Sequence, residues 1–211
     1  MVSRGFKQTE VGEIPEDWAV GSLGTLARLT MGRTPARNTP AYWGAGHPWL
    51  SIADLHGRYV GTSKEQITGL AAALMEPVPS GTLVMSFKLS IGRVAITTHE
   101  LYTNEAICHI RDPLPDRDYL FYALQRTDFE LYGKQAVKGY TLNSESLRSI
   151  QVPVPPLPEQ KRIANWRRVE NAVIDHKHVC TACFRDIAVD VQRERFIVAV
   201  AGDIMRMPGL P

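Results

Sequence analysis

Four prolines fall within six residues, at Pro153, Pro155, Pro156 and Pro158, and no other stretch limits the fold so strongly. Each pyrrolidine ring fixes φ and removes a backbone donor. The stretch is therefore expected to form neither helix interior nor paired sheet, and to run extended and stiff. After Pro158 no proline recurs until Pro208. Glu159 and Gln160 suit a first helical turn, where a carboxylate meets the positive end of the dipole. The wording predicts a mixed domain over residues 1–155 and a long helix over 156–211, joined by a semi-rigid elbow. Composition alone would favour an ordinary proline-rich linker.

Upstream of the elbow, short apolar runs are punctuated by glycine and proline, which points to an α/β domain of the α+β type. Residues 20–23 and 26–30 suit a strand or one helical turn, and residues 47–55 read as a strand with Trp49, Ile52 and Leu55 in the core. A short helical stretch is expected near 69–76. Residues 82–97, rich in β-branched and apolar side chains, read as a hairpin that breaks at 89–92. From Tyr119 to Tyr132 apolar residues recur at three and four spacing, so an amphipathic helix should pack its aromatic stripe on the sheet.

Three stretches are polar, basic and glycine-bearing. The first, 31–44, carries Arg33, Thr34, Arg37, Asn38, Tyr42 and Trp43; the second sets Lys88 and Arg93 around a turn with Gly92; the third, 133–143, reads as a loop with Lys134, Lys138, Tyr140 and Asn143. Arginine and asparagine read guanine and adenine edges, while hydroxyls and lysines hold phosphates. Glycine lets the backbone approach a ligand closely. These residues are candidate DNA contacts. The same stretches also read as solvated surface, with Tyr42 and Trp43 turned into the core. The net charge of +2, from 24 basic and 22 acidic residues, decides nothing, so DNA affinity must come from where the charges lie.

Downstream, Trp166, Val169, Val173, His176, Cys180, Cys183, Ile187, Asp190, Glu194 and Ile197 fall at alternating heptad positions, and seven of the ten are apolar. Ile163 opens the same seam. Near Asp190 the seam shifts, as a stutter would produce. About 45 helical residues at 1.5 Å each would reach roughly 65 Å. Such a helix cannot bury its own stripe and needs another helix. Cys180 and Cys183 have the spacing of a metal or redox pair, yet no second pair accompanies them and both lie on the seam. They read as thiols, and no metal site is expected.

The run Pro156-Leu157-Pro158-Glu159-Gln160-Lys161-Arg162-Ile163-Ala164 closely resembles the junction, proline-proline-leucine-x-glutamate-glutamine-x-x-isoleucine, of the specificity subunits of type I restriction-modification systems. Residues 12–18 resemble that family's opening, residues 196–204 the end of its spacer helix, and Gly32-Arg33-Thr34-Pro35 its glycine-x-threonine-proline segment. Ser86-Phe87-Lys88 with Gly92-Arg93-Val94-Ala95 is similar to its hairpin, and residues 102–106 to the strand that follows. The chain departs from the pattern at Asn165-Trp166-Arg167-Arg168, where apolar and acidic residues are usual.

The resemblance implies a target recognition domain that reads one half of a bipartite site on double-stranded DNA, and a coiled-coil spacer helix. It implies a methyltransferase subunit and a restriction subunit as partners. S-adenosylmethionine, ATP and Mg2+ are expected on those partners, with no cofactor bound by this chain. The chain reads as a complete half, which should pair with a second copy as a homodimer and so recognise a split palindrome. Pairing with a different half-subunit stays open.

No catalytic residues are expected. Neither a glycine-rich cofactor loop, nor an asparagine- or aspartate-proline-proline-aromatic box, nor a phosphate-cradling glycine-x4-glycine-lysine loop occurs. A coiled-coil scaffold that never touches DNA and a stand-alone DNA-modifying or DNA-cleaving enzyme are the alternatives. Residues 1–7 lack an apolar core, and no run approaches the eighteen or so apolar residues of a membrane span, so a cytoplasmic, membrane-free location is expected.

Overall fold

The computed structural model describes residues 5–136 and 139–175, with 134–136, 139–141 and 171–175 described by backbone alone. A hairpin of β1 (Phe6–Thr9) and β2 (Gly12–Pro15) comes first, then β3 (Ala19–Ser22), a single turn α1 (Leu23–Leu26) and β4 (Arg28–Met31). β5 (Trp43–Leu50), β6 (Tyr59–Val60) and β7 (Glu65–Ile67) lead to α2 (Gly69–Ala72). β8 (Leu83–Ser86), β9 (Val94–Thr97), β10 (Tyr102–Thr103) and β11 (Ile107–Arg111) lead to α3 (Arg117–Arg126). The hairpin of β12 (Lys134–Ala136) and β13 (Gly139–Thr141), α4 (Ser144–Ser149), β14 (Gln151–Val154) and α5 (Leu157–Asp175) follow. Contacts gather residues 22–150 into one unit, and group the described residues up to Gly21 with those from Gln151 in another.

The larger unit is built on a five-stranded sheet in the order β4-β11-β8-β9-β6, beside a three-stranded sheet in the order β10-β5-β7. β8 and β9 are buried at every residue. Strands covered on both faces read as continuous apolar runs, which is why Leu83-Val84-Met85 and Val94-Ala95-Ile96 show no polar alternation. The main core joins Leu50, Val60, Val84, Ala95, Leu101 and Ile107, and a second cluster gathers Trp49, Ile67, Ala71 and Tyr102. α3 starts where the Asp116 carboxylate accepts the Tyr119 N–H at 2.9 Å, buries Tyr119 through Leu124, and packs against β9. Its aromatic residues are core, as their spacing predicts, but the helix expected to reach Tyr132 ends at Arg126; Phe129–Leu131 form a 3-10 turn with Leu131 exposed.

Several boundaries differ from the sequence expectation. The strand expected over 47–55 ends at Leu50, because Ser51 and Asp54 form a reciprocal capping box that turns Ile52–Asp54 into a 3-10 helix. Ile52 is consequently only half-buried. The basic stretch expected as a loop over 133–143 contains a hairpin in which Lys134 pairs with Thr141 and Gln135 with Tyr140.

In the smaller unit, Pro153 lies within β14, which pairs with β3 alone. Proline is compatible with an edge, where its missing donor is not needed, so the proline stretch is not excluded from sheet pairing after all. The helix begins at Leu157 as expected and is described to Asp175; His176 onward lies outside the described residues. Its start is fixed by its own side chains. The Glu159 and Gln160 N–H groups both donate to the Pro156 carbonyl, and Gln160 Nε2 donates to the Pro155 carbonyl at 2.7 Å. The Glu159 carboxylate, 7% exposed, accepts the indole N–H of buried Trp18 at 3.1 Å. The Pro-Glu-Asp-Trp opening and the Glu-Gln junction are thus halves of one arrangement.

Candidate nucleic-acid interface

Strand register decides which loops meet. Ile107 faces Ser86 and Ile110 faces Leu83 across β11 and β8, while Cys108 faces Met31 and Arg111 faces Arg28 across β11 and β4. The end of β4, the end of β8 and the start of β11 therefore share one end of the five-stranded sheet. Residues 32–39 leave the sheet there, and residues 87–93 turn there. Leu142, just past β13, donates its N–H to the Phe87 carbonyl at 3.1 Å. All three basic stretches reach that single end.

The first loop is closely held. Gly32 leaves β4 under the next chain segment, where a Cβ would lie 2.1 Å from Thr103 Oγ1 and 2.2 Å from the Thr103 carbonyl. The Arg33 N–H donates to that carbonyl at 2.9 Å. Two indoles pin the loop beyond: Trp49 donates to the Arg33 carbonyl at 3.0 Å and Trp43 to the Ala36 carbonyl at 3.2 Å. The rings stand edge to face, 5.1 Å apart, and the Arg37 guanidinium lies 3.9 Å over Trp43 and 4.9 Å over Trp49. Arg37 grips Glu65 through both terminal nitrogens, Nη1 to Oε1 and Nη2 to Oε2 at 3.0 Å. Its hydrogen bond holds the Glu65 carboxyl below the usual carboxylate range and raises Arg37 in turn. The pair is about half-exposed, so it contributes little to stability; its consequence is a guanidinium fixed in one plane.

Thr34 donates its hydroxyl to Glu105. That bond, helped by the fields of Lys88 and Arg37, holds the Glu105 carboxyl below its ordinary value. Lys88 is half-buried with Nζ 5.4 Å from the Phe87 ring, while Arg33, Asn38 and Arg93 are exposed. Asn143 spends its side-chain oxygen on the Ser146 N–H at 2.7 Å, capping α4, which gives it a structural part. Lys134 and Tyr140 are placed by backbone only, on β12 and β13, and Lys138 lies outside the described residues. This end of the sheet presents cations that can neutralise phosphates. It also presents two carboxylates, Glu65 and Glu105, that repel phosphate but accept from base amino groups. Glu105 lies in the 102–106 stretch that resembles a family strand, yet neither its residue type nor that of Glu65 marks it in the sequence as a DNA contact.

Beneath the loop, His109 on β11 is 2% exposed, with Nδ1 3.1 Å from Thr30 Oγ1 and Nε2 2.7 Å from Thr103 Oγ1. On the helix, Ile163 is buried, Val169 is half-buried, and Trp166 is half-buried with an indole N–H that has no partner among the described residues. Val173 is described by backbone only; His176, Cys180, Cys183 and Ile187 lie outside the described residues.

Residues 15–166 match the family described as the type I restriction modification DNA specificity domain. The MjaIX type I restriction enzyme specificity subunit of Methanocaldococcus jannaschii is 28% identical over 202 residues, spanning 91% of this chain and 46% of that protein. The HindI specificity subunit of Haemophilus influenzae is 23% identical over 153 residues, spanning 67% of this chain and 33% of that one. Among solved structures, the HsdS subunit from Thermoanaerobacter tengcongensis aligns with a TM-score of 0.61 at 20% identity, over 95% of this chain and 47% of its own. A chain from a type I R-M system, solved to describe complex assembly and conformational transition, gives 0.62 at 20% identity, over 95% and 48%. This chain spans between a third and a half of the length of the relatives it matches.

Proposed function

The chain belongs to the type I restriction modification DNA specificity domain family, and on that premise we propose that it reads one half of a bipartite site on double-stranded DNA through the loop-bearing end of its five-stranded sheet. The observation that carries this reading is the convergence there of three separate basic stretches, nominated by their residue chemistry together with their resemblance to the family. Arg33, Lys88 and Arg93 neutralise phosphates or reach base edges; Arg37, held 3.9 Å over the Trp43 ring and braced by Glu65, is a fixed fork of the kind that reads guanine. Binding to DNA should weaken with salt, and joint alanine replacement of Arg33, Arg37 and Lys138 should abolish most of it. Unchanged affinity in that triple variant would remove the assignment.

In the same reading the chain is non-catalytic. It works in the cytoplasm, and positions a methyltransferase subunit and, through it, a restriction subunit; S-adenosylmethionine, ATP and Mg2+ belong to those subunits. The helix that begins at Leu157 is the spacer, and its seam pairs with a second copy of the chain. Two antiparallel helices related by a twofold axis carry their domains to opposite ends, so the target is a split palindrome. Trp166 and Val169, which stay half-exposed on the seam beyond buried Ile163, support this pairing. Light scattering on the purified protein tests it: a dimer is expected, and a monomer at tens of micromolar that dimerises only with a different specificity polypeptide would replace the homodimer by a heterodimer reading an asymmetric site.

A further inference from the structure

Leu89 occupies the tip of the turn between β8 and β9 with 65% of its surface exposed and φ at +62°, a region that favours glycine. The surrounding bonds impose that conformation. The Ser86 hydroxyl donates to the Ser90 carbonyl and accepts the Arg93 N–H at 3.0 Å, while Ser86 N–H donates to the Arg93 carbonyl at 2.9 Å. Gly92 N–H closes the turn onto the Ser86 carbonyl at 2.9 Å. The base of the turn is held on both sides, by Phe87 N–H to the Ala106 carbonyl and Leu142 N–H to the Phe87 carbonyl. Phe129 backs it, since a Cβ on Gly92 would come 2.6 Å from that ring. Nothing in the fold calls for leucine here. Glycine or asparagine would relieve the backbone, and a polar side chain would suit the exposure. Strain of this kind persists where the surroundings over-determine it and collects at sites of function.

Resting on the reading that this end of the sheet faces DNA, we propose that Leu89 is the apolar base contact of the site, burying its side chain against bases while Lys88 and Arg93 on the same turn draw the phosphates close. A DNA duplex offers a side chain apolar surface in two forms, the thymine methyl in the major groove and the face of a base at an opened step. Either demands a protruding side chain on a turn that does not deflect, which the Ser86 and Phe129 bracing supplies.

The test uses the full chain together with its methyltransferase subunit, duplexes enriched by the wild type from a random pool, and an unenriched pool as reference. Leu89→Gly should melt at or above the wild-type temperature, yet lose roughly tenfold or more in affinity for the enriched duplexes, with reference binding within about twofold. Leu89→Met, which keeps the apolar reach, should stay within about threefold of wild type. If the contact is a thymine methyl, thymine-to-uracil replacement costs the wild type the same factor and Leu89→Gly nothing. If it is an opened step, 2-aminopurine there brightens in the wild-type complex and not with Leu89→Gly. Either signal supports the proposal. It is overturned if Leu89→Gly binds enriched duplexes as the wild type does, if it weakens on all duplexes equally, or if neither signal accompanies its loss. A wild type that enriches no duplex at all refutes the DNA-reading function instead.

Discussion

Lowering the pH should loosen the larger unit before its carboxylates titrate, through His109. Burial, reinforced by the positive charge of Arg111, pushes this imidazole down to about 4 from an ordinary 6.5. The folded state therefore refuses a proton that the unfolded chain accepts. The stabilisation is complete above 6.5 and is lost as the pH falls from 6.5 towards 4. A shift of that size corresponds to roughly 3 kcal/mol in full, of which about 2 kcal/mol should disappear between pH 8 and pH 5. Glu65 and Glu105 are held below their usual range, so their contributions vanish only at more acid pH, below the unfolded carboxylate value. The assay is urea unfolding at pH 8, 7, 6 and 5, on the full chain and on His109→Gln, whose amide can still bond Thr30 and Thr103. Between pH 7 and pH 5 the wild type should lose stability and the variant should not. Parallel loss in both proteins would refute the argument, since it would place the titrating group elsewhere.

Other outcomes follow from the same geometry. Gly32→Ala drives a methyl into the Thr103 and Asn104 backbone and should destabilise by roughly 2–3 kcal/mol in denaturant titration, displacing the 32–39 loop. Glu65→Gln should leave stability within about 0.5 kcal/mol, because the pair is exposed, yet raise affinity for random duplexes and narrow the preference for the selected site as Arg37 loses its brace. Trp18→Phe removes one buried donor to the Glu159 carboxylate and should cost about 1 kcal/mol, visible as earlier loss of helical circular dichroism on heating.

Much of the architecture was legible because it follows from local pattern. The unbroken apolar runs of β8 and β9, the three-and-four spacing of α3 and the glutamate after the last proline each announce an element without reference to the rest of the chain. What escaped was every feature that needs two distant segments. The opening run resembles the family's start, but nothing local says that the Trp18 N–H meets a glutamate 141 residues later. Ser51 and Asp54 cut a strand short through a reciprocal bond that alternation does not register. The three basic stretches could be nominated one by one from their chemistry and their family resemblance, whereas their meeting at one end is a consequence of strand register. For the same reason the contacts of Glu65 and Glu105, which lie far in sequence from the loop they adjoin, could not be read until Arg37 and Thr34 were seen to reach them.

The central claim is that one end of the five-stranded sheet, and not the other, holds DNA. The opposite end also carries exposed cations, Arg28 and Arg117, which makes an internal control. The decisive measurement is the slope of log K against log salt for the selected duplex, taken with wild type, with Arg33, Lys88 and Arg93 all changed to alanine, and with Arg28 and Arg117 changed to alanine. Every phosphate that a variant no longer neutralises should flatten the slope by about 0.9. The account predicts a slope shallower by up to about 2.7 in the first variant and wild-type behaviour in the second. A loop-end variant that binds with the wild-type slope, or a control variant whose slope flattens as much, would contradict it.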